Sequence, residues 1–300
     1  MKRLALLFVI TAGILWGTSG LFVSVIAPYG ISSIQMSFIR GSVSFLIISA
    51  FTFIFRRRAF RTSLRLIPLF ALVGLSLFGT AGCYYSSMQM TSVSTAVILM
   101  YTAPIYVSVF SLLVWKEKFT KSKVIALITI FVGCCLVSGI VGGISFNAMG
   151  ILLGFLSGIS YAVYNILTKL LMKLECDPLS VTVYGFFFMS LFSGIVSKPH
   201  LAIKAAVLNP HPLILLFIGL GVITFVLPYF LYTLSMRSLP CGTVSALGII
   251  EPLSATVFGV MLLNESLSVF SVIGIIMILI STVILGRSDG DSNKEFEAKK

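Results

Sequence analysis

Ten unbroken apolar runs, each about as long as a bilayer is thick, constrain this chain more than any other feature. They lie near 4–27, 34–55, 65–87, 93–114, 123–141, 148–170, 179–197, 212–236, 242–263 and 267–286. A hydrocarbon core of about 30 Å takes about 20 residues of helix. The runs are continuous, not alternating, which excludes barrel strands. Only 10% of residues are charged, against about 25% in soluble domains, so no water-facing coat is available. The expected fold is an all-α polytopic membrane protein of ten transmembrane helices. The first run continues to Ala27, past the roughly 7–15-residue core of a signal peptide, and is read as a retained span.

The charges set an orientation. With the N-terminus inside, 18 of the 21 lysines and arginines fall on inner segments: Lys2, Arg3, the cluster Arg56 to Arg65, Lys116 to Lys123, Lys169, Lys173, Arg237, Arg287 and the tail. The outer loops hold only Lys198 and Lys204, and Arg40 lies within a span. This is the asymmetry of the positive-inside rule. It places both termini in the cytoplasm and the chain in the plasma membrane as a multi-pass protein. It also accounts for the net charge of +12 as topology, so no nucleic-acid partner is expected. The stretch "RRRAFRTSLR" can touch anionic lipid. Residues 287–300 read as a disordered cytoplasmic tail.

The chain is written twice. The stretch from Ser94, "STAVILMYTAPIYVSVFSLLVWKEKFTKSKVIALITIFVGCCLV", aligns without a gap to the stretch from Gly242, "GTVSALGIIEPLSATVFGVMLLNESLSVFSVIGIIMILISTVIL". Pro104 falls on Pro252, Glu117 on Glu265 and Tyr84 on Tyr232. Near the start of each half, Gly13 falls on Gly158 and Trp16 on Tyr161. Two five-span repeats follow, residues 1–143 and 144–286. Five is odd, so the second repeat enters from the opposite side, and inverted repeats are a transporter signature.

The carriers of a family resemblance are "GILWGTSG", the arginine of "QMSFIRGS", and the duplicated "APIYVSVFSLLVWKEKFT" and "EPLSATVFGVMLLNESLS". On these the chain resembles the ten-helix EamA-type branch of the drug/metabolite transporter superfamily, over nearly residues 4–286. The resemblance implies export of amino acids and other small metabolites. Gly185 stands where a second copy of Arg40 would fall, which breaks strict functional symmetry. No carboxylate stands in the first span, so the proton site of the four-helix multidrug relatives is not carried over.

Two charged residues lie deep in the runs, Arg40 and Glu251, each costing at least ~2.5 kcal/mol in hydrocarbon without a cavity or partner. Glu251 is nine residues into its span, roughly 13 Å deep. Pro252 behind it, like Pro104, is expected to break its helix and free carbonyls. A carboxylate there suits proton exchange or recognition of an amine; it also suits a structural cap of the kink. Arg40 is roughly 9 Å in and could snorkel outward, bind a substrate carboxylate, pair with Glu251, or hold the fold. Trp16, Tyr84, Tyr85, Tyr101, Tyr161, Tyr164, Tyr229 and Tyr232 include many rings too deep for an interfacial belt. They should face the bundle, where their hydroxyls find partners, with Asn165 and Gln89 adding polar contacts. Glu117 and Glu265 read as helix-end anchors.

Small-xxx-small faces at Gly13 and Gly17 and at Gly150, Gly154 and Gly158 allow close approach. They could serve a homodimer or surfaces sliding within one chain; the kinship of the first and sixth spans favours the second. The five cysteines show no metal-ligand spacing, and no phosphate-binding loop of GxxxxGK[ST] type is present, so no metal, cofactor or ATP drive is expected. The expected function is a secondary transporter, an exporter of small organic solutes, coupled to protons or another ion, with a channel or membrane scaffold as the alternative. An intramembrane enzyme fits least, because both histidines and all three aspartates lie in loops or the tail.

Overall fold

The computed structural model describes residues 2–103, 105–107, 109–110, 121–137, 147–235, 250–281 and 284. Pro104 and Glu117 lie outside the described residues, as do the tail from residue 287 and the first turns expected of the ninth span. Among the described residues the chain is helical throughout, without strands. We number the helices α1 (Lys2–Gly17), α2 (Ser19–Ile26), α3 (Ser33–Phe55), α4 (Ile67–Met90), α5 (Val93–Met100), α6 (Lys121–Val137), α7 (Ala148–Lys173), α8 (Pro178–Ser197), α9 (Pro199–Leu208), α10 (Pro210–Gly221), α11 (Leu227–Ser235), α12 (Ile250–Leu263) and α13 (Val269–Ser281).

Among the described residues five stretches are long and apolar enough to cross a membrane: Arg3–Tyr29, Ser33–Phe55, Leu64–Met90, Ala148–Thr168 and Leu179–Ser197. Leu216–Tyr232, Ile250–Leu263 and Val269–Ser281 are shorter apolar helices. The helices turn large apolar side chains outward, among them Leu46, Ile54, Ile195 and Val269. An apolar exterior of this extent is what lipid, not water, tolerates.

Local chemistry sets several starts. Ser32 caps α3: its hydroxyl accepts from the Gln35 amide at 3.3 Å and the Gln35 side chain accepts from the Ser32 amide at 2.8 Å, a reciprocal capping box. Ser92 caps α5 through the Thr95 amide at 3.0 Å. Asp177 caps α8, whose first residue is Pro178, where a missing N–H costs nothing.

The packing relates the two halves by an approximate two-fold. α1 packs on α11 and α12, while α7, its counterpart, packs on α4 and α5. A Cβ at Gly13 would come within 2.9 Å of Ile250, and one at Gly158 within 2.6 Å of Thr102 Oγ1. Ile250 and Thr102 are themselves 148 apart, so the contact is made twice. Between α3 and α8 the contacts run in opposite directions: Phe38 meets Gly194, the Ser42 hydroxyl meets Ser190 at 2.6 Å, and Phe45 meets Phe187 at 5.4 Å between ring centres. These equivalent helices are antiparallel, as inverted repeats require. The small-xxx-small faces therefore serve approach within the chain; they pair the first span with the ninth and the sixth with the fourth, not the first with the sixth.

Among the described residues three spans are interrupted. Thr18 separates α1 from α2, and the hydroxyls of Thr18 and Ser19 bond back to Leu15 and Trp16 carbonyls at 2.7 Å, competing with the helical ladder. α5 ends at Met100, and Tyr101 and Thr102 form a turn. The third interruption is a π turn, Val222–Val226, between α10 and α11. The apolar run near 212–236 reads as one continuous helix; the structure breaks it. Pro228 explains it: proline has no N–H for the carbonyl four residues back and its ring crowds that carbonyl, which is Thr224.

Candidate functional site

The interruptions converge on the two deep charges. Glu251 lies in the first described turn of α12, half-buried, with buried Pro252 behind it. Tyr101, at the turn after α5, donates its hydroxyl to Glu251 Oε2 at 2.9 Å. The two residues belong to different repeats, so this bond joins the halves. The Ser254 hydroxyl lies within hydrogen-bond distance of the carbonyls of Ile250 at 2.7 Å, Glu251 at 3.0 Å and Gly13 at 3.1 Å. Glycine at 13 and 17 lets α1 come against this turn, since a side chain would collide with Ile250 or Ser254.

Arg40 is 8% exposed and does not snorkel to an interface. Its Nη1 donates to the Tyr85 hydroxyl at 2.8 Å and its Nη2 to the Thr224 carbonyl at 2.8 Å. That carbonyl is the one Pro228 leaves without its helical donor. The guanidinium also stands 4.2 Å over the Phe225 ring, a favourable place for a cation. Its Nε is buried and has no partner among the described residues. Arg40 thus ties α3 to α4 and to the π turn. Among the described residues it makes no ion pair with Glu251; the pair found there is Arg56 with Asp177, at 3.7 Å near the surface.

The rings named from sequence gather here. Trp16 lies 5.4 Å from Tyr229 and 5.4 Å from Tyr232. Tyr229 continues to Phe225 at 4.9 Å, so aromatic contacts run from Trp16 to the face under Arg40. Tyr84 is buried, 5.8 Å from Tyr85. Tyr161 stacks on Tyr164 at 6.1 Å. Asn165 spends one amide donor on its own helix, bonding the Tyr161 carbonyl at 2.9 Å.

Sequence reasoning missed Thr224 and Phe225 as partners of Arg40. The signal was Pro228, which frees a carbonyl four residues back wherever it falls inside a helix. Glu265 takes a different place. Its Oε1 accepts from the Val93 amide, and its Oε2 accepts from the Ser94 amide at 3.2 Å and the Ser94 hydroxyl at 2.7 Å. A carboxylate on the first amides of α5 neutralises unpaired donors and the helix dipole. Glu265 anchors the link after α12 in one repeat to the start of α5 in the other.

Two segments, 3–139 and 148–287, match the EamA-like transporter family. The chain belongs to the EamA-like transporter family. Membership makes it a transporter-family membrane protein, with a duplicated family unit. An uncharacterized transporter of Archaeoglobus fulgidus is 28% identical over 288 residues, covering 93% of this chain and 95% of its own. The uncharacterized transporter YwfM of Bacillus subtilis is 25% identical over 287 residues, covering 93% and 92%. The threonine/homoserine exporter RhtA of Salmonella typhimurium is 29% identical over 247 residues, covering 82% and 79%. A solved crystal structure superposes over 93% of this chain and 95% of its own with a TM-score of 0.63 at 16% identity, a likeness of fold alone. For an EamA-like protein, a small-molecule solute and the lipid bilayer are the partners to account for.

Proposed function

We propose that this chain is a secondary active exporter of small organic metabolites such as amino acids or amines. It works by alternating access around a midplane site between two inverted five-span halves, 1–143 and 144–286. Both termini face the cytoplasm, the tail follows from 287, and the protein resides in the plasma membrane. The observation that carries this reading is the Tyr101–Glu251 hydrogen bond, a membrane-embedded carboxylate held by one repeat and bonded by the other. An intramembrane ionisable group at a repeat junction is where carriers bind solute or coupling ion.

In this reading Glu251 exchanges a proton or another coupling ion, or receives the amine of the solute. Arg40 fixes the π turn and presents a buried positive charge to a carboxylate. Trp16, Tyr84, Tyr161 and Tyr232 form the aromatic walls, and Asn165 adds a polar contact. Pro104 and Pro252 mark the helix breaks. The name of RhtA directs the first choice of solutes to threonine and homoserine.

The test is counterflow in proteoliposomes with labelled threonine, homoserine and a panel of amines. The expected outcome is saturable exchange that Glu251→Gln abolishes at unchanged thermal stability. Currents near channel rates, no flux for any solute, or full counterflow and full gradient-driven transport in Glu251→Gln would each overturn it. The first outcome would favour a channel and the second a scaffold.

A further inference from the structure

A crevice of 480 Å³ opens on the outer flank of α3, beneath α9 and beside α10. It lies on the opposite side of α3 from Arg40. We propose that it holds an acyl chain of an anionic phospholipid, whose headgroup phosphate is met by Lys198 and Lys204.

The lining dictates an apolar occupant. Phe38 and Val43 of α3, Ala202 and Val207 of α9, and Ile214 and Phe217 of α10 form the walls. The Ser42 hydroxyl at the wall is already engaged by Ser190 at 2.6 Å. Water in such a space needs two to four polar partners, and the walls do not supply them. The depth matches one leaflet. Phe38 and Val43 lie five and ten residues along α3 from Ser33, roughly 7 and 15 Å, and a leaflet is half of a ~30 Å core.

The mouth dictates the headgroup. α9 lies across it and exposes Leu201, Ile203, Val207 and Leu208, as a helix in the membrane interface does. Lys198 and Lys204 are exposed, and their ammonium groups make no hydrogen bond or ion pair among the described residues. Lys198 is the left-handed residue (φ 51°) that joins α8 to α9, immediately before the helix that lines the crevice. They are also the two cations that the charge pattern assigns to this side of the membrane. No aspartate or glutamate occurs in α3, α8, α9 or α10, so an anion arriving here meets no like charge. A second copy of the chain fits less well, because a two-fold contact would bring two such lysine pairs together.

Quenching by lipids brominated in the acyl chain tests this on the full chain. Phe217→Trp places a reporter in the crevice, read as the increment over the parent protein. Leu152→Trp, on the exposed face of α7, is the control. If Phe217→Trp fails to fold, by thermal melting and gel filtration, Ile214→Trp replaces it. Brominated phosphatidylglycerol should quench the crevice reporter about tenfold more effectively than brominated phosphatidylcholine, a difference of about 1.4 kcal/mol, and show no preference at the control. The pair Lys198→Gln and Lys204→Gln should remove the preference. Equal quenching by both lipids, a preference that survives the double variant, or stronger quenching by a brominated free fatty acid overturns the proposal. So does a reporter shielded from every lipid in a protein that cross-links as a dimer through α9. None of these outcomes depends on whether the chain transports a solute.

Discussion

A single arginine shows how far one residue's surroundings decide its role. Arg40 sits at a depth from which it could have snorkelled, yet its guanidinium points inward to Tyr85, Thr224 and Phe225. Arg40→Ala leaves a buried carbonyl and a buried hydroxyl without partners. It should destabilise the protein by about 1–3 kcal/mol, read by thermal melting in detergent. Arg40→Lys should recover only part of that, since an ammonium on a flexible stem lacks the planar fork that reaches both acceptors. If Arg40→Lys melts like the parent, the fork geometry is not what Arg40 contributes. Depth along the span was legible in the sequence for both Arg40 and Glu251. Their partners were not, because Tyr85, Thr224 and Tyr101 lie 45, 184 and 150 residues away, and no local pattern records such a distance.

At the scale of elements, the π turn is the feature with the clearest cause. Pro228 withholds a donor from Thr224, and π turns inside α-helices recur at functional sites. Pro228→Ala restores an N–H that competes with Arg40 for that carbonyl. Counterflow should fall about tenfold, the effect of about 1.4 kcal/mol, with helix content by circular dichroism unchanged. Full counterflow would mean that the π turn is dispensable. The close approaches behave differently. Gly13→Leu would drive a side chain into Ile250 of α12, and overpacking of this kind typically costs 1–3 kcal/mol. Lower yield of folded protein by gel filtration is the expected result, with Ser24→Leu on the half-buried, back-bonded face of α2 as the milder comparison. Helix positions were largely visible as apolar runs, whereas the 222–226 interruption was hidden inside one, because a proline is as compatible with a membrane run as with its break.

For the whole molecule, the pair Ser42 and Ser190 gives the sharpest expectation. Their hydroxyls meet at 2.6 Å where the equivalent helices α3 and α8 cross; on the register that sets Gly185 on Arg40, the copy of this contact is Phe45 with Phe187, also made, at 5.4 Å between ring centres. If the halves exchange conformations during transport, a contact this close to the two-fold changes little in separation between the end states, while a contact far from it, such as Gly13 with Ile250, trades places with Gly158 and Thr102. Cysteines at 42 and 190, in a background free of other cysteines, should therefore form a disulfide in equal yield with and without threonine or homoserine, and leave counterflow intact. Yield that changes with either solute would show that the pair is not on the axis of the motion. The sequence by itself determined the membrane class, the duplication and its inversion, because apolar length, charge placement and repeat spacing act along the chain and need no folded partner to be read. Only the tertiary structure decided that Glu251 is bonded by the other repeat, that Arg40 turns inward, and that an apolar crevice opens between α3, α9 and α10. Those facts come from helices far apart in sequence being packed side by side, where a glycine, a proline-freed carbonyl or an unpaired cation acquires its meaning from what stands across from it.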